Sequence, residues 1–187
     1  MRIERNDTGL SRERVKAALT EFADIAGTPK RPVCASDCAR AASRSCERTC
    51  PHIPEVLSTD PERHPIEAAI APLAFEIKKL GVFTPCWSCE GHNDSYGALR
   101  NAPSVWFYAQ QVVHVRILGE CIDDLFYARR IAQPWRVRLT FSEADNAATA
   151  FALEPAATGS LPDMQADARA IAEEIGARAL CKAEDMR

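Results

Sequence analysis

Two groups of cysteines constrain this chain more than any other feature of its sequence. Six of its eight cysteines fall between residues 34 and 89. The first group, called here the N-terminal thiol cluster, contains Cys34, Cys38, Cys46 and Cys50. The second group is Cys86-x2-Cys89-x2-His92, which adds a histidine at a spacing typical of zinc ligands. A fold that uses these groups must bring side chains that are far apart in sequence into contact.

The composition indicates which role the thiols have. The chain has 187 residues, of which 47% are hydrophobic and 26% are charged, as in an ordinary globular protein. Its charged start leads into no apolar signal region, and no apolar run is long enough to span a membrane. We therefore expect a cytoplasmic protein, in which thiols stay reduced and grouped cysteines indicate metal ligands before disulfides.

The hydrophobic pattern predicts an α+β fold. Four segments have apolar residues at helical spacing: 11–26, 66–80, 111–130 and 160–175. Four others have the composition or alternation of strands: 82–88, 104–108, 135–141 and 148–153. From residue 66 the order is α-β-β-α-β-β-α, which predicts a small antiparallel sheet of about four strands with helices on one face. Pro72 either kinks the second helix or lies in its first turn.

A separate segment precedes this fold in the predicted organisation. Residues 1–65 would contain the N-terminal helix and a cysteine-rich helical hairpin that binds metal, and residues 66–187 would form the α+β domain. The hairpin is required because one continuous helix would place the outer cysteines of the cluster about 24 Å apart.

The N-terminal thiol cluster has paired spacings. Cys34 and Cys38 are four residues apart, as are Cys46 and Cys50, so each pair would share one face of a helical turn. Four thiolates favour a structural zinc site. An iron–sulfur cluster, two disulfides and simple packing of the thiols are the alternatives that the spacing leaves open.

The second group has the ligand types of a zinc site with an open position. Cys86, Cys89 and His92 would supply three ligands, and Gly91 would let the backbone turn the imidazole towards the sulfurs. Three protein ligands are typical of catalytic zinc, and Glu90, with Asp94 as the alternative, is then the candidate catalytic acid or base. A fourth ligand would instead close the site, and the candidates are Cys121, His52, His64 and His114. A redox pair, a zinc-deaminase site and buried cysteines without a ligand role are further interpretations.

Short motifs in the second group resemble known sequences. The stretch Cys-Trp-Ser-Cys-Glu-Gly-His, residues 86–92, resembles bacterial proteins of unknown function that share a Ser-Cys-Glu-Gly-His core. That resemblance implies no activity. Residues 88–91 are also similar to part of the Ser-Cys-Ser-Gly-Arg segment of the wybutosine-synthesis tRNA methyltransferase family. Glu90 and His92 depart from that segment, so no function is transferred.

Three functions follow from these patterns. The first is a cytoplasmic metal-binding protein, with zinc or alternatively an iron–sulfur cluster, that has an accessory or regulatory role and a protein partner. The second is a metal-dependent hydrolase or deaminase-like enzyme built on the second group. The third is an RNA-associated module, which the net charge of −3 does not favour. It would use Arg40, Arg44 and Arg48 together with Trp106, Phe107, Tyr108, Trp135, Arg136 and Arg138.

Overall fold

A computed structural model describes residues 12–27, 66–141, 149–157 and 159–185. The elements within these ranges are α1 (Arg12–Gly27), α2 (Ala71–Lys79), β1 (Phe83–Cys89), β2 (His92–Asn93), β3 (Leu99–Asn101), β4 (Ser104–Ala109), α3 (Val112–Tyr127), β5 (Trp135–Phe141), β6 (Thr149–Pro155) and α4 (Leu161–Asp185). They confirm the predicted α+β class. The order predicted from residue 66 holds for the seven larger elements, and the short hairpin β2–β3 is an addition between β1 and β4. The predicted cysteine-rich hairpin lies outside the described residues.

The main sheet has four antiparallel strands in the order β1-β4-β6-β5. Its central register places Val105 opposite Leu153 and Phe107 opposite Phe151. The pairing of β1 with β4 is interrupted by a bulge between Pro85 and Trp87. Because a bulge adds one residue to a strand, it changes which side chains of β1 share a face beyond that point.

The four described helices and one face of the main sheet share one hydrophobic core within the described residues. Val105 and Phe107 are fully buried, whereas the residues that alternate with them, Trp106 and Tyr108, are only partly buried. Alternation of this kind is typical of a sheet with one covered and one open face. Helix α4 contacts the other three helices, and none of the described helices combines the length and the apolar character needed to cross a bilayer.

Helix α1 belongs to this same core. Its residues Ala18, Leu19 and Phe22 are buried, and the helix contacts both α3 and α4. The predicted division into 1–65 and 66–187 therefore separates a helix from the residues against which it packs. The boundary itself, between residues 65 and 66, lies at the edge of a segment that the structure does not describe, and it stays a prediction.

Helix α2 places its first turn beside the end of β1. The helix begins at Ala71 with Pro72 in its first turn, so the proline starts the helix and does not kink it. It ends near Gly81, whose φ of +79° is readily adopted only by glycine. The chain then reverses into β1, so the residues just before α2 lie close to the residues just after β1.

Candidate metal site

Three side chains of different chemistry meet at the end of β1. Glu67, Cys89 and His92 each offer one ligand atom, and these atoms all lie within 4.8 Å of one another. His92 Nε2 lies 2.8 Å from Glu67 Oε1. The Cys89 side chain is buried, whereas the His92 and Glu67 side chains are 45% and 33% exposed. The group therefore has a buried sulfur on one side and opens to solvent on the other.

A glycine turn brings His92 back towards Cys89. Gly91 has φ +87°, and its N–H lies 3.4 Å from Cys89 Sγ. A Cβ atom at this position would lie 2.5 Å from Leu161 Cδ1 and 2.9 Å from Pro103 Cδ. Both the backbone conformation and the space therefore require glycine, which is the role that the sequence predicted for this residue.

Glu67 and Glu90 are held by backbone groups. Glu67 Oε2 accepts a hydrogen bond from the Glu90 N–H at 2.7 Å, and its other oxygen faces His92. Glu90 Oε2 accepts from the Ala69 N–H at 2.9 Å, and the Glu90 carbonyl accepts from Gln165 Nε2 at 3.0 Å. Glu90 thus helps to fix the turn that carries Glu67. Its predicted role as catalytic acid or base stays a prediction.

The electrostatics around Cys89 suit a metal ligand better than a free nucleophile. Burial has the largest effect and raises the pKa of the Cys89 thiol. The hydrogen bond from the Gly91 N–H lowers it by a smaller amount, and the nearby carboxylates of Glu67 and Glu90 raise it further. A nucleophilic cysteine needs a positive environment that favours the thiolate. A cation bound among these groups would offset the carboxylates and add to the effect of the Gly91 N–H in favouring the thiolate.

Cys86 lies apart from this group. Its side chain is exposed and has a hydrogen bond with Tyr108, and burial of part of the thiol raises its pKa. Cys86 and Cys89 are three positions apart on β1, which corresponds to about 10 Å along an extended strand. Of the three ligands predicted for the second group, the structure brings Cys89 and His92 together and adds Glu67.

The other candidate ligands are also away from the group, or are not described. Cys121 and His114 are fully buried in the helical part of the core, and burial raises the pKa of Cys121 to about 12. Cys121 thus behaves as a small buried hydrophobic side chain. The remaining candidates lie outside the described residues: Cys34, Cys38, Cys46, Cys50, His52 and His64.

Sequence reasoning did not identify Glu67 as a ligand. It precedes Cys89 by 22 residues and follows a proline-rich stretch with no clear periodicity. The signal that points to it is topological. An acidic residue just before a helix is carried to the end of the next strand when a short turn joins the two elements.

The aromatic residues proposed to contact RNA divide between the two faces of the sheet. Phe107 and Trp135 are buried, whereas Trp106 lies on the open face with its ring centroid 5.0 Å from that of Trp87. The two nearby arginines both bind one carboxylate, since Arg136 and Arg138 lie 3.1 Å and 2.9 Å from Glu154 Oε1. Binding of nucleic acid stays a prediction.

No protein-family model, curated protein or solved structure matches this chain. Its function therefore has to be inferred from the chemistry of the site.

Proposed function

We propose that this protein binds one zinc ion through Glu67, Cys89 and His92, a group called here the zinc site. The observation that carries the proposal is the convergence of a carboxylate, a thiol and an imidazole within 4.8 Å. Zinc accepts all three ligand types. Calcium and magnesium require oxygen ligands, and an iron–sulfur cluster requires more thiolates than the one that Cys89 supplies.

The spacing of the three ligand atoms is close to what zinc requires. Ligands of a tetrahedral zinc ion lie about 3.3 to 3.7 Å apart, given metal–ligand bonds of about 2.0 to 2.3 Å. The imidazole–carboxylate distance of 2.8 Å is shorter than this, and the limit of 4.8 Å for the group is longer. Movements of about 1 Å by the partly exposed His92 and Glu67 side chains would bring the ligand atoms to the distances found around tetrahedral zinc.

The site supports an accessory or regulatory role in a cytoplasmic protein. Structural zinc sites are closed by four protein ligands. The described residues supply three here, and two of these side chains are partly exposed. An open position of this kind permits reversible uptake of zinc, or completion of the site by a ligand from a protein partner.

A metal-dependent hydrolase is the second candidate, and the same opening favours it. Zinc with an open position binds a water molecule and lowers its pKa towards 7. In this role Glu67, Cys89 and His92 would hold the ion, and the adjacent carboxylate of Glu90 would act as the catalytic acid or base. Zinc-dependent hydrolysis of activated ester or phosphodiester probes, lost in His92→Gln, would support this candidate, and its absence in zinc-loaded protein would exclude hydrolysis of those probes.

Metal analysis of purified protein tests the zinc site directly. The protein is prepared with all four cysteines of the N-terminal thiol cluster replaced by serine, so that any metal bound there is removed. We expect one equivalent of zinc, which Cys89→Ser and His92→Gln each abolish. Cys86→Ser is the matched control, because this exposed cysteine lies on the same strand outside the group. Equal zinc content in the Cys86 and Cys89 variants would contradict the proposal.

A further inference from the structure

A buried hydroxyl group lies next to the zinc site without a hydrogen-bond partner. Ser104, the first residue of β4, is only 6% exposed. Its Oγ atom forms no hydrogen bond within the described part of the chain. Buried hydroxyl groups are nearly always paired, so an unpaired one next to a functional group needs an explanation.

The register of the sheet identifies the neighbour of this hydroxyl group. Ser104 lies directly opposite Cys89 in the pairing of β4 with β1. Side chains of directly opposed residues in an antiparallel pair project from the same face, with Cβ atoms about 4.5 to 5.5 Å apart. The Ser104 and Cys89 side chains are therefore neighbours at the buried side of the zinc site.

We propose that Ser104 is a positioning residue for the metal-bound form of Cys89, which rests on the proposed zinc site. When Cys89 binds zinc as a thiolate, its sulfur becomes a stronger acceptor, and the Ser104 hydroxyl donates a hydrogen bond to it. The Gly91 N–H, 3.4 Å from the same sulfur, supplies a second donor. Donors around a ligand orient it and tune the metal, so the unpaired hydroxyl gains its partner only on loading.

Binding of cobalt(II), a spectroscopic substitute for zinc, tests this role. We expect Ser104→Ala to weaken cobalt and zinc binding about tenfold and to shift the thiolate-to-cobalt absorption band to longer wavelength. Ser104→Thr keeps the hydroxyl group and should preserve both properties. Ser88→Ala is the matched control, because Ser88 lies on β1 opposite Val105 and so on the other face of the strand.

Thermal unfolding of the metal-free variants separates this role from a structural one. Metal-free Ser104→Ala should be at least as stable as the parent protein, since the change removes an unpaired buried polar atom. If the parent protein binds cobalt normally and Ser104→Ala has unchanged cobalt affinity and absorption, Ser104 has no positioning role. The proposed zinc site would be unaffected by that result. If the parent protein binds no cobalt at the zinc site, the proposed function falls and this inference falls with it.

Discussion

Glu67, just before α2, and Glu90, just after β1, each accept a hydrogen bond from a backbone N–H group on the other's segment. The Glu67 carboxylate accepts from the Glu90 N–H at 2.7 Å, and the Glu90 carboxylate accepts from the Ala69 N–H at 2.9 Å. Each acid thus satisfies a backbone donor on the other's segment. These two hydrogen bonds join the start of α2 to the end of β1 and leave one oxygen of Glu67 directed at His92.

Replacement of Glu90 should weaken the zinc site without removing a ligand. Glu90→Ala leaves the Ala69 N–H without its acceptor, and we expect a loss of about 1 to 3 kcal/mol in the free energy of unfolding together with weaker zinc binding. Glu90→Gln keeps an acceptor oxygen and should retain most of both. Urea denaturation and zinc competition titrations measure the two effects. Identical behaviour of the two variants would show that the hydrogen bond has no such role.

Zinc should stabilise the folded protein. A ligand at one hundred times its dissociation constant adds about 2.7 kcal/mol, which corresponds to about 5 to 10 °C in the melting temperature of a chain of this size. Chelation should reverse the shift. The comparison uses protein with the N-terminal thiol cluster replaced by serine, and we expect the shift in Cys86→Ser but not in Cys89→Ser. A shift that survives in Cys89→Ser would place the ion elsewhere.

Gly91 and Gly97 form a matched pair for testing the turn at the zinc site. Both have positive φ angles, +87° and +82°, but only Gly91 has neighbours where a Cβ atom would lie. Gly97→Ala should cost about 1 kcal/mol of stability for backbone strain alone. Gly91→Ala adds a clash with Leu161 and Pro103 and should cost about 2 to 4 kcal/mol, with loss of zinc binding. Equal costs in denaturation experiments would show that the clash is relieved.

His114 should make stability dependent on pH. Burial lowers the pKa of its imidazole, whose Nε2 lies 3.4 Å from the Ala18 carbonyl oxygen. The unfolded chain therefore takes up a proton below about pH 6.5 that the folded protein resists, so stability falls as the pH falls below that value, by at most about 1.4 kcal/mol per pH unit.

The variant His114→Phe isolates this contribution. It places an uncharged ring beside Phe22 and Phe83, the aromatic neighbours of His114. We expect its free energy of unfolding to change less than that of the parent protein between pH 7 and pH 5. Urea midpoints measured at several pH values give the comparison, and parallel curves for the two proteins would exclude His114 as the source.

The sequence predicted most of the fold because its larger elements have strong periodicity. The buried residues on α3 follow directly from the hydrophobic pattern, as does the start of β5, where Trp135 and Val137 are more buried than Arg136 and Arg138. The alternation ends at Leu139, which is exposed. The hairpin β2–β3 was missed because strands of two and three residues are too short to show any period. The residues at the junction of these strands, Asn93-Asp94-Ser95-Tyr96-Gly97, are nevertheless typical of a turn, and Asp94 Oδ1 accepts the hydrogen bonds from Tyr96 and Ala98 that such a turn requires.

The site was predictable only in part, for a geometric reason. A Cys-x2-Cys spacing suits chelation when the residues lie in a tight turn, but an extended strand carries Cys86 about 10 Å away from Cys89. His92 follows the turn at Gly91, which brings its side chain back towards Cys89. The Cys89-x2-His92 spacing therefore did predict two side chains that lie close together. Glu67 depends on how α2 packs against β1, which is tertiary information that local sequence patterns do not contain.

The paired indoles on the open sheet face give this protein a built-in optical probe. Trp87 precedes Cys89 by two residues, is half exposed, and contacts Trp106, which follows Ser104 by two residues. The tryptophan fluorescence of this pair should change when Cys89 binds zinc, so that zinc titrations need no attached dye. The third tryptophan, Trp135, is buried in the core and gives an independent signal for global unfolding.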